Sequence, residues 1–344
     1  MFSKLYRFPP LEGTTYDCTF VKGNKMLFKH FIKQEWYREF QSRLLLRRDF
    51  LFFLREYFHN KNLRRAGEGV MKTLLFVTDL YYEAKGRNYY EEDLFLTSKL
   101  REAFNLVICH PEDIEAFEDN ANLIVFRNAG PVANFKDKYE AFRKRIISKH
   151  LKTYNSFNGK GDMNGKEYLI ELTNAHFPVI PTIDTLDSLI KLPSVDRYIV
   201  KPKNGADSIG MEFITKDELS EKVNSESKDT LIQPFINFEY EVSFYFIDKE
   251  FQYALYAPNK DKRWELKEYV PTEEDVTFAK RFIDWNNLDW GIQRVDACRS
   301  EQGGLLLVEL EDLNPYLSLL ELPEETRQNF IEAMKESLQK ALQI

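Results

Sequence analysis

Ile292-Gln-Arg-Val-Asp-Ala-Cys298 and Leu305-Leu-Leu-Val-Glu-Leu-Glu-Asp-Leu-Asn-Pro315 decide how this chain is read. Both segments are apolar and strand-sized, and together they read as a strand pair. Alternation along Leu305–Glu311 predicts Leu305, Leu307, Glu309 and Glu311 on one face. Two carboxylates two residues apart on a strand repel each other unless a cation or a basic residue stands between them. Asp296, on the preceding strand, would complete an oxygen-rich cluster of the kind that holds Mg2+ together with substrate phosphates. A strand end reaching solvent would also tolerate acids, but the flanking leucines are too apolar for a plain surface strand.

Upstream lies Lys201-Pro-Lys203-Asn-Gly205-Ala-Asp-Ser208-Ile-Gly210. A strand ending in lysine runs into a loop with glycines and a serine. Such a loop brings backbone N–H groups to phosphate oxygens while lysine neutralises charge. An ordinary hairpin loop is the plain alternative, since Asn-Gly favours one. Gly161-Asp-Met-Asn-Gly165-Lys166-Glu167 fails as a P-loop, because the glycine spacing is wrong and Glu replaces the Mg2+-binding Ser/Thr. Leu231-Ile-Gln233-Pro234-Phe235-Ile236, followed by Glu239 and Glu241, reads as a strand turning into a linker. It would suit backbone recognition of a purine and carboxylate contacts to a ribose, and it reads equally as a strand–turn–strand.

The rest of the chain sorts into two patterns. From Met71, Leu74–Thr78, Asn105–Cys109 and Asn122–Phe126 read as strands, alternating with helices at Tyr90–Phe104, 112–117 and 136–152. This is an open α/β sheet over residues 71–150. No GxGxxG follows its first strand, so dinucleotide binding has no support. Asn155–Gly165 is a loop-forming boundary. Beyond it, a helix at Lys166–Ala175 and Pro178-Val-Ile-Pro precede strands at 197–201, 210–215, 230–235, 240–247 and 251–257. Helices at Glu273–Asn286 and Pro323–Leu342 flank the opening strand pair. This second part, residues 151–344, reads as an α+β domain with mainly antiparallel pairing.

The 344 residues carry 48 Lys+Arg against 55 Asp+Glu and are 43% hydrophobic, with three cysteines, Cys18, Cys109 and Cys298, and no CxxC pair. A disulfide scaffold or structural zinc is thereby disfavoured, and a cytoplasmic setting is expected. No apolar run reaches the ~18–20 residues of a membrane helix, and the first residues lack a signal-peptide core. The net charge of −7 argues against general nucleic-acid binding. Residues 1–70 hold 14 Lys+Arg and 7 Asp+Glu, leaving 34 against 48 for the remainder. Residues 26–60 are predicted to form a basic amphipathic helix, which either packs on the main body or meets an acidic partner or membrane surface. Met71-Lys-Thr-Leu-Leu-Phe-Val-Thr also reads as a chain start. Ala66-Gly-Glu-Gly69 is compatible with a purine-rich ribosome-binding sequence, so translation from Met71 is an expectation.

Taken in order, these segments resemble the ATP-grasp superfamily, which includes glutathione synthetase and D-alanine–D-alanine ligase. The resemblance spans about residues 150–320. It rests on Lys166 before Pro178-Val-Ile-Pro, Lys201 before Gly205, Ser208 and Gly210, the hinge Gln233-Pro-Phe-Ile236, Arg294-Val-Asp296, and Glu309-Leu-Glu311. Glu311 stands where the family has Asn, and Asp312 and Asn314-Pro315 follow, so the metal ligands among Glu309, Glu311, Asp312 and Asn314 stay open.

The resemblance implies a small open α/β domain ahead of an ATP-grasp domain, with a helical N-terminal extension. It implies Mg2+ (or Mn2+) and ATP, and an acylphosphate ligase joining a small-molecule or peptide carboxylate to an amine or thiol. A homodimer is an allowed assembly. Lys166, Lys201 and Lys203 with Gly205, Ser208 and Gly210 would hold phosphates. Gln233, Pro234, Phe235 and Ile236 would read adenine, and Glu239 or Glu241 the ribose. Asp296, Glu309, Glu311 and Asn314 would hold metal, and Arg294 would stabilise the acylphosphate. Arg127, at the carboxyl end of the third α/β strand, is expected to meet the substrate carboxylate, or to be a surface loop arginine. The aromatic segment Tyr253–Trp264 is placed near the substrate or in the core. A small-molecule kinase and a non-catalytic ATP-binding protein are the alternatives.

Overall fold

The computed structural model describes residues 71–344 except 85–86, 128–129, 204–209, 223–228, 260–261, 263–264 and 344, together with three strands in the first 70 residues. The chain divides into two compact units, Met1–Val70 and Met71–Ile344. In the first, β1 (Leu5–Arg7), β2 (Asp17–Val21) and β3 (Lys25–Phe28) form an antiparallel sheet in that order. The helix expected over 26–60 is corrected at its start, where Met26–Phe28 pair with Cys18–Phe20 as strand. The remainder of that helix lies outside the described residues.

The second unit opens with β4 (Thr73–Val77), whose Leu74–Val77 are all buried. Continuous burial on both faces is why this run shows no polar alternation. A short ladder, β5 (Glu83–Ala84) with β6 (Arg87–Asn88), leads to α1 (Tyr90–Leu100) and β7 (Asn105–Cys109). Then follow α2 (Ile114–Phe117), β8 (Leu123–Phe126), α3 (Lys136–Lys149) and β9 (Thr153–Tyr154). The parallel sheet runs β7-β4-β8-β9, so its fourth strand comes from beyond residue 150.

Next come α4 (Tyr168–Asn174), β10 (Arg197–Pro202), β11 (Glu212–Thr215), α5 (Lys216–Lys222) and β12 (Thr230–Pro234). They build a three-stranded antiparallel sheet, β11-β10-β12. Its inner face, Tyr198, Ile214 and Ile232, packs on Ile183, Leu192 and Leu219.

The last segment holds β13 (Phe238–Ile247), β14 (Glu250–Ala257), β15 (Lys267–Glu268), α6 (Glu273–Asn286), β16 (Ile292–Ser300), β17 (Leu305–Glu311) and α7 (Glu324–Gln343). The five strands pair as β15-β14-β13-β16-β17, all antiparallel. A capping box starts α6: Thr272 Oγ1 accepts from the Asp275 N–H, and the Asp275 carboxylate accepts from the Thr272 N–H. Phe278, Ala279, Phe282 and Ile283 then bury one stripe of that helix under the sheet. Each large apolar side chain so buried stabilises by about 2 kcal/mol.

The opposite face of the five-stranded sheet closes a second core. There Tyr245, Tyr253 and Leu255 meet Leu74 and Phe76 of β4, Leu96 of α1, and Phe330, Met334 and Leu338 of α7. The parallel and antiparallel sheets are thereby joined through one apolar cluster. Among the described residues no helix is long and apolar enough to cross a membrane.

Candidate active site

The strand pair Asp296/Glu309 is interrupted by a β-bulge. Arg294 faces Glu311, Val295 faces Leu310 and Asp296 faces Glu309, but Ala297 faces Leu307, leaving Val308 without an opposite number. One extra residue reverses the alternation on either side of it. Leu305, Leu307 and Leu310 therefore enter the core beneath α6, while Glu309 and Glu311 turn to the other face. The expectation that all four of Leu305, Leu307, Glu309 and Glu311 share a face is corrected by that single residue.

The face bearing the acids also carries Arg294 and Asp296 from β16 and Ser243 from β13, since Ser243 pairs with Asp296 in register. Arg294 binds Asp296 in bidentate fashion, Nε to Oδ1 at 2.9 Å and Nη2 to Oδ2 at 2.8 Å. Its Nη2 also donates to Glu311 Oε1, and its Nη1 donates to Tyr316 O at 2.9 Å. Burial opposes the guanidinium charge, and Asp296 and Glu311 outweigh it, holding Arg294 well above its usual range. Ser243 Oγ donates to Asp296 Oδ1 at 2.6 Å. Glu311 accepts from the Arg294 guanidinium as well. Burial pushes its carboxyl up to about 8; Arg294 opposes this, while Asp296 and Glu309 add to it.

Lys166 approaches from the loop before α4, with Nζ 2.7 Å from Glu309 Oε1. Burial works against its charge, and Glu309 more than restores it. Lys201, next to last in β10, lies in the same neighbourhood. Burial lowers its ammonium to about 8, with Glu309 opposing and Lys166 reinforcing the shift. Among the described residues Lys201 has no carboxylate within ion-pair distance.

Other expected residues fall out differently. Lys203 is buried and pairs with Glu167 at 2.7 Å and Asp184 at 3.0 Å. Gly205 and Ser208 lie outside the described residues; Gly210 takes φ +75° beside Pro202. Gln233 is buried, its Nε2 donating to Thr182 Oγ1 at 2.8 Å. Pro234 ends β12, the Phe235 N–H donates to Arg197 O at 3.0 Å, and the Arg197 guanidinium covers the Phe235 ring at 4.2 Å. Ile236 follows in the linker to β13. Glu241 shares the Ser243–Asp296 face, whereas Glu239 sits in a register shift of β13 and is exposed. Asn314 is half-buried, with Nδ2 3.5 Å from Gly130 O.

Asp312 is removed from the metal candidates. It is fully buried, its carboxylate accepts from Gly161 N at 2.8 Å and Met163 N at 3.0 Å, and it faces Asp162. Arg127 is corrected as a substrate contact. It is buried, with Nε 3.0 Å from Asp93 Oδ1, Nη2 3.1 Å from Glu92 Oε1 and Nη1 donating to Pro315 O at 2.7 Å. Tyr253 is a core residue stacked on Tyr245 at 4.3 Å, and Trp264 lies outside the described residues.

Three solved structures superpose on this chain over nearly their whole length. The chain superposes on the D-cycloserine synthetase DcsG with a TM-score of 0.61 at 20% identity, over 77% of this chain and 99% of that one. It superposes on D-alanine–D-alanine ligase from Bacillus anthracis, complexed with ATP, with a TM-score of 0.57 at 14% identity, over 80% and 98%. The ATP-grasp ligase PsnB, complexed with a precursor variant, Mg and ADP, gives 0.53 at 14% identity, over 80% and 99%. The chain has the ATP-grasp fold. No family model matches the sequence, and no curated protein is significantly similar to it.

Within the ATP-grasp fold, the polar face of the five-stranded sheet gathers Ser243, Arg294, Asp296, Glu309 and Glu311, with Lys166 and Lys201 beside it. Among the described residues no group of three or more His, Cys, Asp or Glu is gathered tightly enough to hold a metal ion unaided. The donor set nevertheless fits a hard divalent cation shared with the phosphates of a nucleotide, because the carboxylate oxygens of Asp296, Glu309 and Glu311 suit such an ion. Sequence reasoning missed Ser243 and Glu92. A serine two residues after Glu241 on a strand carried a usable signal; the burial of Glu92 beneath a distant segment did not.

Proposed function

We propose that the chain is an Mg2+- and ATP-dependent ligase that joins a carboxylate to an amine or thiol through an acylphosphate. The observation that carries this reading is the Arg294–Asp296–Glu311 cluster next to the Lys166–Glu309 pair and the Lys201 end of β10, set on one sheet face of the ATP-grasp fold. Lys166 and Lys201 neutralise phosphate oxygens, a task of positioning and charge rather than covalent chemistry. The backbone of Gln233–Ile236 reads the adenine, and Glu241, or Glu239, takes the ribose hydroxyls. Asp296, Glu309, Glu311 and Asn314 hold Mg2+ or Mn2+, which when bound neutralises phosphate oxygens and orients them. Arg294 is already spread across two carboxylates and a carbonyl. Its planar fork suits the paired oxygens of an acylphosphate. The substrates are a small-molecule or peptide carboxylate and an amine, and the few cysteines support a cytoplasmic setting.

The test is ADP release from Mg2+-ATP over a panel of carboxylates and amines, with product mass. A new amide or thioester supports the ligase. A stable phosphate adduct would make it a kinase, and tight ATP binding without turnover a binding protein. Loss of no activity in Asp296→Asn would remove the metal assignment.

A further inference from the structure

The segment Pro315–Leu319 is a strap held from two sides. On one side lies the α/β sheet. Arg127 Nη1 donates to Pro315 O at 2.7 Å. The Glu92 carboxylate accepts from Leu317 N and Leu319 N, each at 2.9 Å. From β14 of the five-stranded sheet, Tyr253 OH donates to Leu317 O at 2.7 Å. On the other side, Tyr316 O turns toward the candidate active site and accepts from Arg294 Nη1 at 2.9 Å. Alternate backbone groups of one strap thus face a buried ion pair and the site arginine in turn.

Arg127 and Glu92 are buried and bonded to each other at 3.1 Å, with Asp93 as the third member. Buried charges of this kind cost desolvation unless every oxygen and N–H is used. Here several of those groups are used on the strap rather than on neighbouring side chains. We propose that Arg127 and Glu92 are positioning residues that clamp the strap, and through Tyr316 O set Arg294 against Asp296 and Glu311. The clamp also fixes Asn314, which immediately precedes Pro315. The inference rests on the ATP-ligase reading, because it makes the metal-dependent part of nucleotide binding depend on a pair that touches neither metal nor nucleotide.

The experiment is calorimetric titration of the full chain with ADP, once in EDTA and once with excess Mg2+. Arg127→Lys keeps the charge but loses the planar fork that spans Asp93, Glu92 and Pro315 O. Glu92→Gln keeps the shape but has one acceptor oxygen for two backbone donors. Arg145→Met breaks another ion pair of the same sheet unit, with Glu118 at 2.7 Å, which does not touch the strap.

Expected are metal-free ADP affinities within threefold of wild type for both clamp variants and Mg2+-ADP affinities at least tenfold weaker. Arg145→Met should keep both. Unchanged Mg2+-ADP affinity in the clamp variants, equal weakening with and without metal, or an equal loss in Arg145→Met would overturn the inference. If Arg127→Lys fails to fold, the near-isosteric Glu92→Gln carries the test. A wild-type protein that binds ADP in neither condition would instead overturn the ATP reading, and this inference with it.

Discussion

The Lys166 ammonium stands 2.7 Å from the Glu309 carboxylate and joins the loop before α4 to strand β17. The Lys166 N–H also donates to Lys203 O at 3.0 Å, so the same residue ties the small sheet's end to the large sheet. Lys166 is thus held in place by a carboxylate, while Lys201 beside it has none within ion-pair distance among the described residues. In the proposed reading the two lysines divide the work. Lys166 is oriented before nucleotide arrives, and Lys201 gains its counter-charge from the phosphates.

Glu309→Gln leaves Lys166 without its partner and takes one oxygen ligand from the acid cluster. Removal of a preorganised electrostatic contact costs on the order of 100-fold in rate. ADP release from Mg2+-ATP with the identified substrate pair should fall by about that factor, with circular dichroism unchanged. A rate within threefold of wild type would take Glu309 out of the site.

Lys201 titrates at about 8, against 10.5 when free in solution. Between those values the unfolded chain binds more protons than the native one, so the Lys201 contribution to stability rises with pH across that window. Phosphate reverses the shift by favouring the ammonium. Metal-free ADP should therefore bind with net proton uptake at pH 8.5, read by calorimetry in two buffers of different ionisation enthalpy. Lys201→Met should abolish the uptake; an unaltered proton count in that variant would refute the assignment.

Glu92 is raised by burial to about 7 from 4.5, against the opposing effect of Arg127. The native state holds this proton more tightly than the unfolded state between those values, so its stabilising contribution is full below pH 4.5 and is lost as pH rises through 7. The change amounts to at most about 3 kcal/mol. Urea melts at pH 5 and pH 7 should show wild type losing stability relative to Glu92→Gln over that interval. Parallel curves would show that Glu92 does not titrate there.

Asp312 and Gly161 supply a contrast between structural and site residues. A Cβ at Gly161 would lie 2.8 Å from Leu310 O and 2.9 Å from the Asp312 carboxylate. Gly161→Ala should cost about 1–3 kcal/mol through overpacking, and Asp312→Asn a similar amount through two disturbed backbone hydrogen bonds. Neither should change the Mg2+ dependence of ADP binding, whereas Glu311→Gln should weaken it. Thermal melts alongside ADP titrations separate the two effects.

Much of the architecture was legible before any coordinates. Continuous apolar runs mark β4 and β8, because parallel strands are buried on both faces. The segment Leu305–Glu311 is a strand with the bounds its apolar pattern predicts. The elements that escaped are short or polar: β5, β6, β9 and β15 are two residues long each, and α5, Lys216–Lys222, is too polar to show a buried stripe.

The sequence by itself determined the order of the chemistry-bearing residues, from Lys166 and Lys201 to Arg294, Asp296, Glu309 and Glu311, and the strand-rich pattern that carries them. Those properties are local, written in residue type and period. Only the tertiary structure decided which way the residues turn and what they meet. One bulged residue, Val308, turned Glu309 and Glu311 away from the leucines that precede them, because side-chain period in a strand is two and an insertion of one inverts it. Partners distant in sequence took Arg127 for the Pro315–Leu319 strap, Asp312 for the Gly161–Met163 loop and Lys203 for Glu167 and Asp184. Each is a charged side chain whose burial had to be satisfied by groups that no local pattern could name.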